Sequence, residues 1–350
     1  MVMEAQDCQL PPEMLDIISK NLDFDDLFQF AGVCKSWREF HKIYCINFLA
    51  SQAPLIFQTS SYSKDDYSFY SIPNQRAYRL KMGSLWGYSY SGSSSGYLIM
   101  AGDNDTLLLI NPFRRRKKVI NTSVLRGKFS SSSCRALLAF AKGSKEFVVV
   151  VSCTSHHSLH VYQSRDSGWV THSIRGNPWN VVDFVVLHNT IHLITDKADI
   201  GILNVNSTNI KFLELNNAPS VTFSRLRLVS CDEQLLVVHF VPEKVLDVYK
   251  IDFSTMNYEK LETLGDVAFF YSSWTNFRAL RNPSRWGYES NSMYCICLFA
   301  ECHVYSVDDN KLRKHIVASG SLQTPGRSNF YWLDWCFPHL HDEVDYSLVK

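Results

Sequence analysis

Residues 183–215, DFVVLHNTIHLITDKADIGILNVNSTNIKFLEL, decide the fold. Four runs rich in Ile, Val, Leu and Phe lie here: Phe184–His188, Ile191–Thr195, Ile200–Val205 and Ile210–Leu215. Asn189-Thr190 separates the first pair and Asn206–Asn209 the last, and Asn-rich breaks of that length are hairpin turns. Four antiparallel strands in roughly 33 residues is the size of one blade of a β-propeller.

The second hairpin of that stretch recurs. It reads SFYSIPNQRAYRL, TLLLINPFRRRKKVI, SLHVYQSRDSGWVTHSI, IGILNVNSTNIKFLEL, VLDVYKIDFSTMNYEKLETL and CHVYSVDDNKLRKHIV. Aligned on Ile72, Ile110, Gln163, Val205, Ile251 and Val307, the copies step by 38 to 56 residues. An apolar strand precedes most of them: Tyr97–Met100, Phe147–Val151, Gln234–Phe240 and Met293–Phe299. A unit of four short strands cannot close its own core, but stacked radially such units bury one another's faces. The expectation is an all-β propeller of six or seven four-stranded antiparallel blades over residues 51–350. Asn329–Phe337 or Leu55–Phe57 supplies the strand that closes the ring. A two-sheet sandwich is the competing architecture.

The first 50 residues differ in kind. They carry eight acidic and four basic residues within a chain of net charge +1, so an acidic head precedes a mildly basic body. Pro11 and Pro12 suit the first turn of a helix and Glu13 complements its dipole. Met14, Leu15, Ile18 and Leu22 then follow at helical spacing. Asp23, Asp25 and Asp26 end that helix. Leu27, Phe28, Phe30 and Ala31 form a second, and Val33 to Phe48 a third. Three short helices with this many large apolar groups cannot bury them all against one another, so a partner or the following domain must cover the remainder.

The pattern Leu10-Pro11-x-Glu13-Met14-Leu15, Ile18, Leu22, Asp26-Leu27, Phe30 and Val33-Cys34-Lys35-x-Trp37 resembles an F-box in register from end to end. That resemblance implies a partner, the Skp adaptor, and through it a cullin-RING ubiquitin ligase. It implies that Leu10, Pro11, Leu15, Ile18, Leu27, Val33, Cys34 and Trp37 form the docking surface. The sequence departs from the family at Ser19, where a second large apolar residue is preferred, and at Asp25, often basic. SGSSSGYLI, INPF, LGDVAFF and NSMYCI are similar to the KIB-type, kelch-like propeller found behind F-boxes in a large plant family. That likeness implies a non-catalytic receptor domain and names no ligand.

Near-neutral charge gives no basic excess of the kind dedicated nucleic-acid or membrane-surface binding uses. No secretory signal opens the chain and no run of about 18 apolar residues would span a bilayer. The expected location is the cytoplasm, the nucleus or both, with the ten cysteines as reduced, packed thiols. No P-loop, nucleophile elbow, dinucleotide-binding glycine run or H-E-x-x-H motif is present, and no cofactor is expected. Cys295, Cys297, Cys302 and His303 are zinc-type ligands, but they fall in a strand and a hairpin and read as packing residues, so no metal is expected. His156, His157 and His160 read as loop histidines. Arg114–Lys118 reads as a solvated hairpin turn, with nuclear import or phosphate binding as alternatives.

In a propeller, every connection from one blade's last strand to the next blade's first emerges on one face. Assigning those connections to Leu80–Gly96, Arg175–Val182, Leu215–Ser224 and Leu264–Ser292 places Trp86, Tyr88, Trp179, Trp274, Phe277, Arg278 and Trp286 on that face. Trp, Tyr and Arg anchor protein interfaces, so these seven are the expected target-binding residues. The function that follows is the substrate-recognition subunit of an SCF-type ligase. The alternatives are an F-box scaffold outside ubiquitylation, and a propeller hydrolase or lectin with convergent carboxylates or histidines in its channel.

Overall fold

The computed structural model describes residues 10–345 except 20, 23, 61–66, 80–84, 115, 126–133, 154–157, 174–179, 204, 206–209, 221–225, 242–243, 273–276, 298–300, 318–329 and 339–341. Three helices lead: α1 (Pro12–Ser19), α2 (Phe24–Phe30) and α3 (Lys35–Ser51). The strands then form six sheets. Blade 1 contains β1 (Leu55–Ser60), β2 (Tyr67–Ser71) and β3 (Arg76–Tyr78). Blade 2 runs β4 (Tyr88–Ser94), β5 (Tyr97–Gly102), β6 (Thr106–Asn111) and β7 (Arg116–Asn121). Blade 3 runs β8 (Cys134–Ala141), β9 (Phe147–Cys153), β10 (Ser158–Gln163) and β11 (Gly168–Ser173). Blade 4 follows as β12 (Val181–Leu187), β13 (Thr190–Thr195), β14 (Ile200–Leu203) and β15 (Ile210–Phe212). Blade 5 is β16 (Leu226–Cys231), β17 (Gln234–Val241), β18 (Lys244–Asp252) and β19 (Asn257–Leu261). Blade 6 is β20 (Val267–Tyr271), β21 (Arg278–Arg281), β22 (Ser292–Cys297), β23 (Glu301–Ser306) and β24 (Leu312–Val317). Two late strands return to earlier blades: β25 (Phe330–Cys336) pairs with β1, and β26 (Glu343–Val344) pairs in parallel with β8.

The six recurring hairpins of the sequence are the outer pairs of the six blades, and both candidate closing segments are used, against each other. Ile56 faces Trp335 across that closure. One-sided alternation is absent because each blade is packed on both faces, and β9, β13 and β17 are accordingly near-continuous apolar runs.

The hairpins joining first and second strands are fixed by backbone sterics. Ser95-Gly96, His188-Asn189 and Asp232-Glu233 each place both residues at positive φ. That is the two-residue turn whose twist matches the flanking strands. The blade 4 turn is thus His188-Asn189, one residue earlier than expected, and Thr190 begins β13. Gly201 in β14 is required for a different reason: a Cβ there would lie 2.8 Å from the side chains of both Leu193 and Ile210. Gly201→Ala should therefore cost about 1–3 kcal/mol by urea denaturation, an overpacking penalty.

Polar bonds between innermost strands hold neighbouring blades. Asp334 on β25 accepts from the Tyr90 hydroxyl of blade 2 and, at 2.6 Å, from the Ser272 hydroxyl of blade 6. Ser94 and Ser95 of blade 2 donate to the Leu138 carbonyl of blade 3 at 2.9 and 2.7 Å. Arg135 of blade 3 pairs with Asp183 of blade 4 at 3.3 Å, and Asp183 accepts the Leu228 N–H of blade 5 at 3.0 Å. Blades 5 and 6 meet through rings, with Phe240 4.9 Å from Phe277, and through the ion pair of Arg281 with Asp232.

The helices do not form a freestanding lid. Phe24, Cys45, Phe48 and Leu49 share one core with Leu55, Phe57, Phe69 and Tyr78 of blade 1 and Leu98 and Phe113 of blade 2. The boundary expected at residue 50 falls at the end of α3, and this core crosses it. Phe24 is the hinge pin: expected to lie in a helix-breaking turn, it is instead in α2, buried, with Tyr78 at 5.1 Å and Phe113 at 5.5 Å.

Candidate functional site

The turn carrying Phe113 joins third and fourth strands, so the helices occupy the face of the ring where those turns lie, hereafter the near face. On the helices, Leu10, Met14, Ile17, Val33 and Ile43 are exposed apolar side chains. Pro11 is exposed beside them, and its carbonyl accepts the first amides of α1, from Met14 and Leu15. Ile18, Cys34 and Trp37 are partly covered, and the Trp37 ring lies tilted against Phe30 at 4.5 Å. Leu15 is corrected: it is buried within the helical module and offers no docking surface. The side chain of Leu27 lies outside the described residues.

Ser19 is also misplaced by a docking-surface reading. It is fully buried, its hydroxyl donates to the Asp16 carbonyl, and its own carbonyl accepts the Tyr44 hydroxyl of α3 at 2.5 Å. A small residue here lets Tyr44 approach α1, so the departure at Ser19 serves packing between helices.

The expected target-binding set divides. Trp86 precedes β4 on the opposite, far face, where the Gly87 carbonyl accepts the Asp103 amide, and it is 82% exposed. Tyr88 is half-buried beside it, its ring lying where a side chain on Gly102 would be. Trp179 and Trp274 lie outside the described residues. Phe277 is corrected: at 1% exposure it is core, packed on Phe240, Phe269 and Tyr271. Trp286 is corrected in location. Its indole N–H donates to the Ser51 carbonyl at 3.2 Å, which puts it on the near face against the end of α3. Arg278 reaches across the ring to donate to the Ser93 carbonyl of blade 2 at 3.3 Å. The cause is that Leu264–Ser292 is not a connection. VAFFY forms β20, which pairs in parallel with β22, and Arg278–Arg281 returns as β21. Leu80–Gly96 likewise contains β4.

Asp183 of β12 and Asp334 of β25 have no exposed surface. Burial pushes the Asp183 carboxyl upward, against the pull of Arg135 and Arg227. Burial, then the charge of Asp334, holds the Tyr90 phenol far above its usual range and so keeps it a donor. Cys295 and Cys302 pack into cores on opposite sides of blade 6 and cannot share an ion. His303 instead approaches Glu301 and His315, with ligand atoms within 4.8 Å, where Glu301 is already paired with His315 at 3.1 Å. His160 is not a loop residue; it is buried in β10 and bonded to Thr171 and Ser158.

A helical module with an exposed apolar strip, fused through a shared core to a six-bladed propeller, defines the class: an F-box protein with a propeller body. Residues 8–40 match the F-box domain and residues 69–320 the KIB1-4 beta-propeller, and the chain belongs to that propeller family. It is 19% identical over 314 residues to the Arabidopsis thaliana F-box protein At3g56470, covering 86% of this chain and 82% of that one. Among solved structures it is similar to Citrobacter koseri AztD, with TM-score 0.37 and 13% identity over 64% of this chain and 61% of that one.

Proposed function

We propose that this protein is the substrate-recognition subunit of an SCF-type cullin-RING ubiquitin ligase, acting in the cytoplasm or nucleus. The observation that carries the reading is the strip Leu10, Met14, Ile17 and Val33, apolar and exposed on an F-box. Apolar surface of that kind on a small helical module is stabilised by a partner that removes it from water. The Skp adaptor takes that place. The propeller holds a target protein, with Trp86 and Tyr88 on the far face as its first anchors. The subunit supplies no reacting group. Tethering raises the target's effective concentration at the ubiquitin-charged enzyme.

Leu10→Asp with Val33→Asp tests the reading without touching the core, since both side chains are exposed. Co-expressed with a Skp adaptor, the full chain should co-purify with it. The double variant should lose that capture by more than about tenfold while its melting temperature stays unchanged. Equal capture by the variant refutes this docking surface.

A further inference from the structure

Between blades 2 and 3, on the near face, lies a cleft of about 450 Å³, within the size range of small-ligand sites. It exists because blade 3 departs from its neighbours. Blades 2, 4 and 5 join first and second strands by two residues, whereas blade 3 uses residues 142–146. The floor is aromatic, with Tyr97, Phe140 and Phe147. The walls are cationic: Arg114, Arg116 and Lys118 from blade 2 face Lys145 from the longer turn of blade 3, while Lys117 shares the other face of blade 2 with Ile110. The run expected to be a solvated turn is therefore mostly strand β7, and it forms one side of a cavity.

No carboxylate lines the cleft among the described residues, and none of these four cations has an ion-pair partner among them. Asp342 lies at the inner end, held at 3.3 Å by the hydroxyls of Ser94 and Ser95, and offsets only part of the charge. Lys118 is kept at the wall by the Phe147 ring, 4.2 Å from its ammonium. Four like charges around one cavity repel one another, and a bound anion relieves that repulsion.

The geometry points to a binding site for a small organic polyphosphate, whose phosphates meet the four cations while its apolar part covers the aromatic floor. Charge density selects this class over a phosphorylated segment of protein. One phosphorylated side chain brings about −2 at most, whereas two or three phosphates on one scaffold match the cleft. The site lies on the face that carries the F-box, and it is separate from the far-face residues Trp86 and Tyr88.

Calorimetric titration of the full chain with inorganic triphosphate and with ATP tests the assignment, beside a doubly phosphorylated peptide. Both small probes should bind once per chain with micromolar affinity that weakens steeply with salt. Arg116→Glu with Lys145→Glu should weaken both by at least about tenfold, and Lys311→Glu, on the turn of blade 6, should change neither. All three side chains are exposed, so melting temperatures should stay level. Absence of binding by both small probes, undiminished binding to the double variant, or tighter binding of the peptide than of either probe overturns the proposal.

Discussion

Trp335→Ala should lower the unfolding free energy of the full chain by about 3–5 kcal/mol, the range for emptying a large aromatic site in a core. Trp335 is among the largest fully buried side chains and sits on the strand that closes the ring. Its ring meets Phe270 edge-on at 4.8 Å, with Tyr288 and Tyr294 beyond, so the cavity would open between blades 1 and 6. Its indole N–H also donates to the Tyr271 carbonyl at 3.1 Å, a bond to blade 6 that alanine deletes. Trp335→Phe refills most of the volume and loses that bond, so it should cost only about 1–2 kcal/mol. Urea denaturation followed by circular dichroism separates the two. A loss below about 1 kcal/mol for the alanine variant would mean that the ring is held elsewhere.

Asp183→Ala is expected to cost as much, about 3–5 kcal/mol, for an electrostatic reason. The substitution leaves the Arg135 guanidinium, only 16% exposed, beside a vacated acceptor. It also removes the acceptor that Asp183 offers the N–H groups of Phe184 and Leu228, at 2.9 and 3.0 Å. Blades 3, 4 and 5 lose their shared polar contact in one step. Asp183→Asn keeps an acceptor and removes the charge, so it should fall between wild type and alanine. Adding Arg135→Ala to Asp183→Ala should cost less than the two single losses together, because the shared ion pair is broken only once. Strict additivity of the two single variants by denaturation would show that the pair is uncoupled.

The ring was legible in the sequence because its outer hairpins repeat. Ile110, Gln163 and Ile251 fall at the end of the third strand of their blades and Val205 just past it, and both proposed closing segments are used. Blade 6 was misread because its inner strands break the repeat. Five consecutive apolar residues, Val267–Tyr271, look like a buried loop or a strand equally well, and no local signal announces a parallel pairing with β22. That one ambiguity moved Phe277 and Trp286 to the wrong surface.

The F-box motif gave helices and their order, and it could not tell which side chains face outward. Leu15 and Ile17 both suit a helix, but the position of α3 buries the first and exposes the second. Phe24 was invisible as an anchor because its partners, Tyr78 and Phe113, lie 54 and 89 positions away. The cationic cleft was half visible. RRRKK stands out in any reading, but Lys145 and the floor residues Phe140 and Phe147 join it only once blades 2 and 3 are side by side.

The pairing of β25 with β1 has a kinetic consequence. Residue 55 leaves the ribosome long before residue 336, and at about 5–20 residues per second the interval is roughly 15–60 s. Throughout it, the inner edge of β1 has exposed amides and carbonyls with no strand to meet them, an edge open to pairing with another chain. The helices emerge first and cover Leu55, Phe57, Phe69 and Tyr78 on one side of that blade. Nascent chains should therefore be most prone to aggregate after blade 5 has been made and before Trp335 has.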